Sequence, residues 1–386
     1  MRICRIATVP FFVRHHLAPQ IRATVAAGHE VQVVTSPEQE GEEVSRLAGV
    51  RYEPIPIARR IAPLADLRSL IALWRHFRRE RFDLVHSTTP KAGLLTAIAA
   101  RLAGVPLRLH TFTGQAWKEL HGPVRWVAKM SDRLIVRLNT RCYADSASQQ
   151  RFLTEQGIGH DGDIVVLGPG SLSGVDLQKF DVGLRASGTA LRERLGIPPA
   201  AKVVTFIGRV TRDKGICELV AAFEHLRHEP AHRDLRLILV GPLEARLDPL
   251  PPDVLETITR DPAIRVAGYC PEPEQYLAVT DVLCLPSYRE GFGNAVIEAA
   301  AMGIPTVASR IPGPLDSIVD GETGLLVPPR DVPALAAALA RVLDDDGLHA
   351  RLGAAARRRA VEVFSADRIS ALLLAEYESL AAAGRR

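Results

Sequence analysis

Short apolar runs alternate with segments of helical period along nearly the whole chain. The first runs are residues 3–9, 30–35, 84–87, 107–112, 141–145 and 164–167. A second series follows at 202–207, 235–240, 264–267, 282–285, 306–309 and 324–327. Between them, residues 19–27, 64–80, 92–102, 216–226 and 295–302 repeat their apolar positions every three or four residues. Apolar β-branched runs separated by amphipathic helices predict parallel sheets covered on both faces. Two series of about six strands predict an α/β chain of two doubly wound domains. The expected break lies at 178–200. There, residues 181–190 are small and polar, and Gly196-Ile197-Pro198-Pro199 punctuates the chain. The tail, 333–383, reads as helix throughout, with one turn at Asp344-Asp345-Asp346-Gly347.

Composition narrows the class. The chain has 386 residues, 47% hydrophobic and 24% charged, as a globular protein of two or three domains does. Disorder, collagen and coiled coil are excluded. No apolar run reaches the ~18 residues of a membrane span. Residues 1–9 read as a buried first strand rather than a signal peptide. The five cysteines (Cys4, Cys142, Cys217, Cys270, Cys284) form no CxxC pair, so a reducing cytosol is expected and a zinc site is not. The net charge of +4 hides an asymmetry: residues 1–180 are basic and residues 181–386 acidic. A basic first half suits an anionic partner. Composition drift is the alternative, because arginine far outnumbers lysine.

Conventional nucleotide motifs are absent. There is no GxxxxGK[ST] loop, and Pro10-Phe11-Phe12-Val13-Arg14 follows the first strand where a dinucleotide fold needs glycines. Gly168-Pro169-Gly170-Ser171-Leu172-Ser173-Gly174 only approximates GxGxxG. The strongest signal is Gly208-Arg209-Val210-Thr211-Arg212-Asp213-Lys214-Gly215, between a strand and a helix. It sets Arg209 and Lys214 at the carboxyl end of a strand, where open α/β sheets bind ligands. They either clamp a diphosphate and neutralise a leaving group or form a solvated basic loop. The second signal is Glu290-Gly291-Phe292-Gly293-Asn294-Ala295-Val296-Ile297-Glu298. A helix starting near Asn294 would offer free N–H groups to an anion. Glu298 lies about one turn inside a helix with almost no polar face. A carboxylate there must reach a ligand, pair structurally or snorkel to solvent.

Arg209 with Lys214, followed by Glu290 and Glu298 in an E-x7-E spacing, resembles glycosyltransferase family 4. Gly28-His29-Glu30-Val31, Gly174-Val175-Asp176 and Gly321-Glu322-Thr323-Gly324-Leu325 extend the likeness over most of the chain. The resemblance implies a GT-B fold: two Rossmann-like domains facing across a cleft, with a C-terminal helix crossing back to the first. The implied division is 1–180 for the acceptor, 181–365 for the nucleotide-sugar and 366–386 for the returning helix. It implies a metal-independent, retaining transfer, with no cofactor besides the nucleotide-sugar substrate. Arg209 and Lys214 would hold the donor diphosphate, and Glu298 the ribose. Glu290 would lie beside the donor sugar, with the amides of Phe292, Gly293 and Asn294 near the sugar and phosphates. Residues 266–269, ending at Tyr269, would border the base.

The first domain departs from the broad family pattern. Pro10–His16 stands where relatives carry a glycine-rich loop. Thr113-Gly114 stands where they have His-Gly, with His110 three residues earlier. His110 either takes over that role or packs at a strand end. His86-Ser87-Thr88-Thr89-Pro90-Lys91-Ala92-Gly93 resembles the subgroup that extends undecaprenyl-diphosphate-linked sugars in capsule, O-antigen and glycan assembly. That likeness implies a UDP-sugar donor and acceptor contacts at Lys91 and at Arg14, His15 and His16 in a second loop. Ordinary surface charge is the other reading of each.

Arg125, Lys129, Arg133 and Arg137 recur every four residues near Trp117 and Trp126. Residues 64–82 carry Leu67, Ile71, Trp74 and Phe77 on one side, with arginines elsewhere. Basic residues beside aromatics suit an anionic membrane surface. Helix packing on a sheet is the competing reading for the apolar ones. The expectation is therefore a cytoplasmic enzyme, peripheral on the inner face of the plasma membrane. Its alternatives are a GT-B transferase for a soluble or other lipid acceptor, and a non-catalytic lipid- or nucleic-acid-binding protein. No nucleic-acid motif supports the last.

Overall fold

The computed structural model describes residues 1–38, 40–58, 62–244 and 248–383. The chain divides into two compact units, Met1–Gly174 with Ala366–Arg386, and Val175–Ser365. Each is built on one parallel sheet, so the two doubly wound domains expected of the GT-B class are present.

The first sheet has seven strands: β1 (Arg2–Ile6), β2 (Glu30–Thr35), β3 (Val50–Pro54), β4 (Leu84–Thr88), β5 (Leu107–Phe112), β6 (Arg141–Ala144) and β7 (Ile164–Val166). Their order is β3-β2-β1-β4-β5-β6-β7. The apolar pattern predicts all of these but β3. That strand, Val-Arg-Tyr-Glu-Pro, is a short, half-exposed edge whose charges hide it from a hydrophobic reading. The chain reverses its direction across the sheet between β1 and β4, and the Thr8 and Thr89 hydroxyls bond across that point at 2.7 Å.

Residues 10–17 are not the loop expected of them. They form a turn of α-helix, Pro10–Phe12, and a π-helical turn, Val13–Leu17, running into the helix Ala18–Ala26. Pro19 has no N–H to return to the His15 carbonyl, and the hydrogen-bond ladder slips to the wider register there.

The C-terminal helix Ala366–Ala383 packs on Ala18–Ala26 within this unit. Tyr377 pins it. Its buried hydroxyl accepts from Arg5 Nη1 at 2.6 Å and pairs with His86 Nδ1 at 2.7 Å. Arg5 also donates to Gln20 Oε1 at 3.1 Å, and His86 Nε2 meets Thr111 Oγ1 at 2.8 Å. Burial, with the Arg5 charge beside it, drives the His86 pKa well below the usual histidine value, so the ring is neutral.

The second sheet holds β8 (Val203–Ile207), β9 (Arg236–Val240), β10 (Ile264–Gly268), β11 (Val282–Leu285), β12 (Thr306–Ser309) and β13 (Gly324–Val327), in the order β10-β9-β8-β11-β12-β13. All six follow the predicted runs. The unit begins at Val175 rather than after 180. Val175 N–H donates to the Phe364 carbonyl at 2.8 Å, and Phe180 is buried in the second core. The polar stretch after 180 is not a linker: it holds a 3₁₀ turn, Val182–Ser187, and a helix, Thr189–Arg194, whose Leu191 is buried. The five cysteines are unpaired thiols.

Removing the Tyr377 hydroxyl leaves two buried polar groups short of a partner. Tyr377→Phe is therefore expected to lower stability by about 1–3 kcal/mol in urea unfolding. A loss below about 0.5 kcal/mol would mean that the network does not hold the helix.

Candidate functional site

The site in the second unit grows from two glycine-permitted close approaches. Gly208 and Gly241 end β8 and β9 at φ 154° and 140°. A Cβ on Gly241 would lie 1.8 Å from the Gly208 carbonyl oxygen. The two loops therefore run side by side, and Val210 N–H donates to the Pro242 carbonyl at 2.9 Å. Arg209 leaves this turn with its guanidinium 3.5 Å from Glu244 and 3.6 Å from Asp213.

Gly215, at φ 72°, makes the second approach. A Cβ there would lie 2.1 Å from the Pro286 carbonyl oxygen. This presses the turn after β8 against the loop after β11. Tyr288 N–H donates to the Asp213 carbonyl at 2.9 Å. Arg289 is 2.7 Å from the Asp213 carboxylate, and Lys214 is 2.6 Å from Glu290 Oε1. Ser287 Oγ donates to the same Glu290 oxygen at 2.8 Å. Burial would raise the Asp213 carboxyl. The Thr211 hydroxyl and the charges of Arg289, Lys214 and Arg209 outweigh it and hold the pKa below the usual carboxylate value.

Gly293, at φ 87°, turns the loop into the helix Asn294–Ala301, whose Val296, Ile297 and Ala299 are buried. Phe292 is core: it lies edge-on against Phe364 at 5.1 Å, so only its backbone can face a ligand. Glu298 is half-buried. Among the described residues it has no hydrogen-bond or ion-pair partner. Burial, partly offset by Lys179, raises its carboxyl to about 7. Tyr269, after β10, is 46% exposed. Arg209, Lys214 and Arg289 and a helix start thus share one sheet edge, and the Glu298 carboxylate lies one turn into that helix. That chemistry fits an anion joined to a polyol.

Sequence reasoning missed Asp213, Glu244, Ser287 and Arg289. The signal available was adjacency: Asp213 precedes Lys214, and Arg289 precedes Glu290.

In the first unit, Lys91 begins the helix Pro90–Ala103 and pairs with Asp66 at 2.6 Å. Thr89 just before it holds φ 72° and ψ 141°, a conformation rare for a β-branched residue. Arg14 pairs with Glu43 at 2.6 Å. His15 lies against Phe11, and His16 against Phe12 at 4.9 Å, where burial lowers its pKa to about 4. His110 is enclosed. It faces Gly93, meets Ser87 Oγ at 2.9 Å and is pushed by burial to about 3. Its surroundings are those of a packed side chain.

The basic stripe divides. Lys129 stacks over the Trp117 ring at 5.3 Å, and Arg133 Nε donates to the Gly157 carbonyl at 2.7 Å. Arg125 is half-buried, while Arg137 is exposed. Trp117 is core, bonded to Asp132 at 2.6 Å, and gives no surface contact. Most of the outward face of the helix Gly122–Leu138 is apolar: Trp126 is 64% exposed, beside Val127, Met130 and Leu134, with Arg133 and Arg137 exposed next to them. The helix Pro63–Glu80 likewise exposes Leu64, at 75%, with Leu67 and Ile71, but buries Phe77.

Residues 201–345 match the family model described as glycosyl transferases group 1, and residues 13–170 that of a glycosyl transferase 4-like domain. The chain is 29% identical to the capsular polysaccharide biosynthesis glycosyltransferase CapM of Staphylococcus aureus, over 91% of this chain and 89% of that protein. It is 28% identical to the Escherichia coli UDP-Gal:alpha-D-GlcNAc-diphosphoundecaprenol alpha-1,3-galactosyltransferase, over 76% and 74%. Its fold resembles sucrose-phosphate synthase from Thermosynechococcus elongatus, with a TM-score of 0.81, 22% identity, and 99% and 100% of the chains covered.

The raised Glu298 pKa has a stability consequence. The folded state favours the protonated acid, so stability falls as pH rises from about 4.5 through 7. Glu298→Gln escapes this. Thermal unfolding should find it level with wild type at pH 4 and more stable by about 1–2 kcal/mol at pH 8. Equal stability at both pH values would show that Glu298 is not desolvated.

Proposed function

The chain belongs to glycosyltransferase family 4, and on that premise we propose that it moves a sugar from a UDP-sugar to a polyprenyl-diphosphate-linked saccharide, with retention of configuration. Such a step belongs to surface polysaccharide or glycan assembly. The observation that carries the donor side is the unpaired Glu298 carboxylate one turn into the helix that begins beside the Lys214–Glu290 pair.

Arg209 and Lys214 bind the diphosphate and stabilise the charge that grows on it as the sugar–oxygen bond breaks. Neutralisation by two fixed cations needs no metal ion. Glu298 accepts hydrogen bonds from the ribose hydroxyls. Glu290 orients the donor sugar. The amides of Phe292, Gly293 and Asn294 line the sugar and phosphate, and Tyr269 borders the base. The acceptor hydroxyl attacks from the face the diphosphate leaves, and its proton passes to the departing phosphate oxygen. No covalent sugar–protein bond is invoked.

On the acceptor side, Lys91 at a helix start suits a second diphosphate. Arg14, His15 and His16 extend the same reading, and His110 supports that wall from within. The outward Trp126, Val127, Met130 and Leu134, with Arg133 and Arg137 alongside, suit an anionic lipid surface. Leu64, Leu67 and Ile71 add a second apolar face in the same unit. Among the described residues no helix is long and apolar enough to cross a membrane. Peripheral docking on the cytoplasmic leaflet is the corresponding location. The E. coli relative's named acceptor, a diphosphoundecaprenol-linked sugar, agrees with this class.

The test is transfer to a polyprenyl-diphosphate-linked saccharide in anionic vesicles, with a panel of UDP-sugars and chelator present. Lys214→Ala and Glu298→Ala should each lower turnover by about 100-fold or more while circular dichroism is unchanged. Near wild-type turnover in both would contradict the donor reading. Trp126→Ala combined with Val127→Ser should abolish vesicle flotation. Unchanged flotation, or equal turnover on a water-soluble acceptor without vesicles, would favour a soluble substrate.

A further inference from the structure

We propose that Asp213 and Arg289 are positioning residues that keep the two donor-binding loops in register while their neighbours, Lys214 and Glu290, turn to substrate. The proposal rests on the donor reading above and deepens it. Two ion pairs lie on consecutive rungs between the turn after β8 and the loop after β11. One joins Asp213 to Arg289 at 2.7 Å, and the other joins Lys214 to Glu290 at 2.6 Å.

The second rung is shared with the reaction. Lys214 is needed at the diphosphate and Glu290 at the sugar, so each gives up part of its hold on the other during the transfer. Something else must then fix the distance between the loops.

The first rung is placed to do so. Asp213 is 7% exposed and is held from several directions. Its carboxylate accepts the Thr211 hydroxyl at 2.5 Å, and its N–H donates to Asp248 at 2.5 Å. Its carbonyl accepts Tyr288 N–H, one residue before Arg289. The Arg289 carbonyl in turn lies 3.4 Å from the Lys214 ammonium. Arg289, from the loop after β11, thus touches the turn after β8 through two separate groups, its guanidinium and its carbonyl. Arg209 also comes within 3.6 Å of the Asp213 carboxylate, so the same anchor steers a diphosphate cation. The Arg289–Asp213 contact is an ion pair rather than a hydrogen bond, and the burial of the carboxylate strengthens it because little water competes for it.

The test uses the full-length chain with Arg289→Gln and Arg289→Lys, read by steady-state transfer and by the UDP-induced rise in Tm. Loosening the loops misplaces Glu290 without removing a phosphate ligand. Arg289→Gln should lower kcat about 100-fold, leave KM for the acceptor unchanged and leave the UDP-induced rise intact. Arg289→Lys should recover most of the rate. Asp213→Asn combined with Arg289→Gln should cost less than the product of the two single losses. Wild-type kcat in Arg289→Gln, beside an inactive Lys214→Ala, would overturn this inference alone. A UDP-induced rise lost in parallel with kcat would also overturn it, by making Arg289 a phosphate ligand. Wild-type activity in Lys214→Ala would overturn the donor reading and this inference with it.

Discussion

The second unit depends on how closely two of its loops can approach. Gly215 sits where any side chain would collide with the Pro286 carbonyl. That contact fixes the turn after β8 against the loop after β11. It brings Asp213 and Lys214 opposite Arg289 and Glu290, and opposite charges then meet without long, disordered reaches. Parallel sheets place such loops at the carboxyl edge of adjacent strands, and glycine decides whether they touch. Chemistry in this unit is therefore a consequence of backbone geometry before it is one of side-chain type.

The same edge holds a group that does not serve the fold. Glu298 stands in a helix that after Asn294 is otherwise alanine and aliphatic residues, with its carboxyl pushed to about 7. An uncompensated carboxylate in such a place costs stability. Natural chains tolerate that cost where a ligand recovers it. In the first unit the opposite choice is made. His86 and His110 are buried, neutral and paired, and they support the sheet under the helix starts.

Most of the fold was legible because burial on both faces makes parallel strands continuous apolar runs. The exceptions have physical causes. β3 is a half-exposed edge, so its pattern is mixed. Residues 10–17 lack glycine and carry Pro19 downstream, which favours a distorted helix over a loop. The candidate site was half legible. Arg209, Lys214, Glu290 and Glu298 stand out because charge near a strand end or in an apolar helix needs a reason. Asp213 and Arg289 do not, because each merely adjoins a marked residue and nothing local ties together a pair 76 positions apart. Period also misled at the surface. Four basic residues at helical spacing marked one side of a helix, but Lys129 stacks on Trp117, Arg133 Nε is tied to Gly157, and most of the outward face is apolar.

On the proposed donor reading, Glu298 is a desolvated acid awaiting hydroxyl donors at a nucleoside-diphosphate site. Titration calorimetry of UDP at pH 7, repeated in buffers of different ionisation enthalpy, tests it most directly. A group half-protonated at that pH ionises when both of its oxygens accept from the two ribose hydroxyls. Binding should release about half a proton more from wild type than from Glu298→Gln. Binding with the same proton release in both proteins, or no binding of UDP at all, would contradict it.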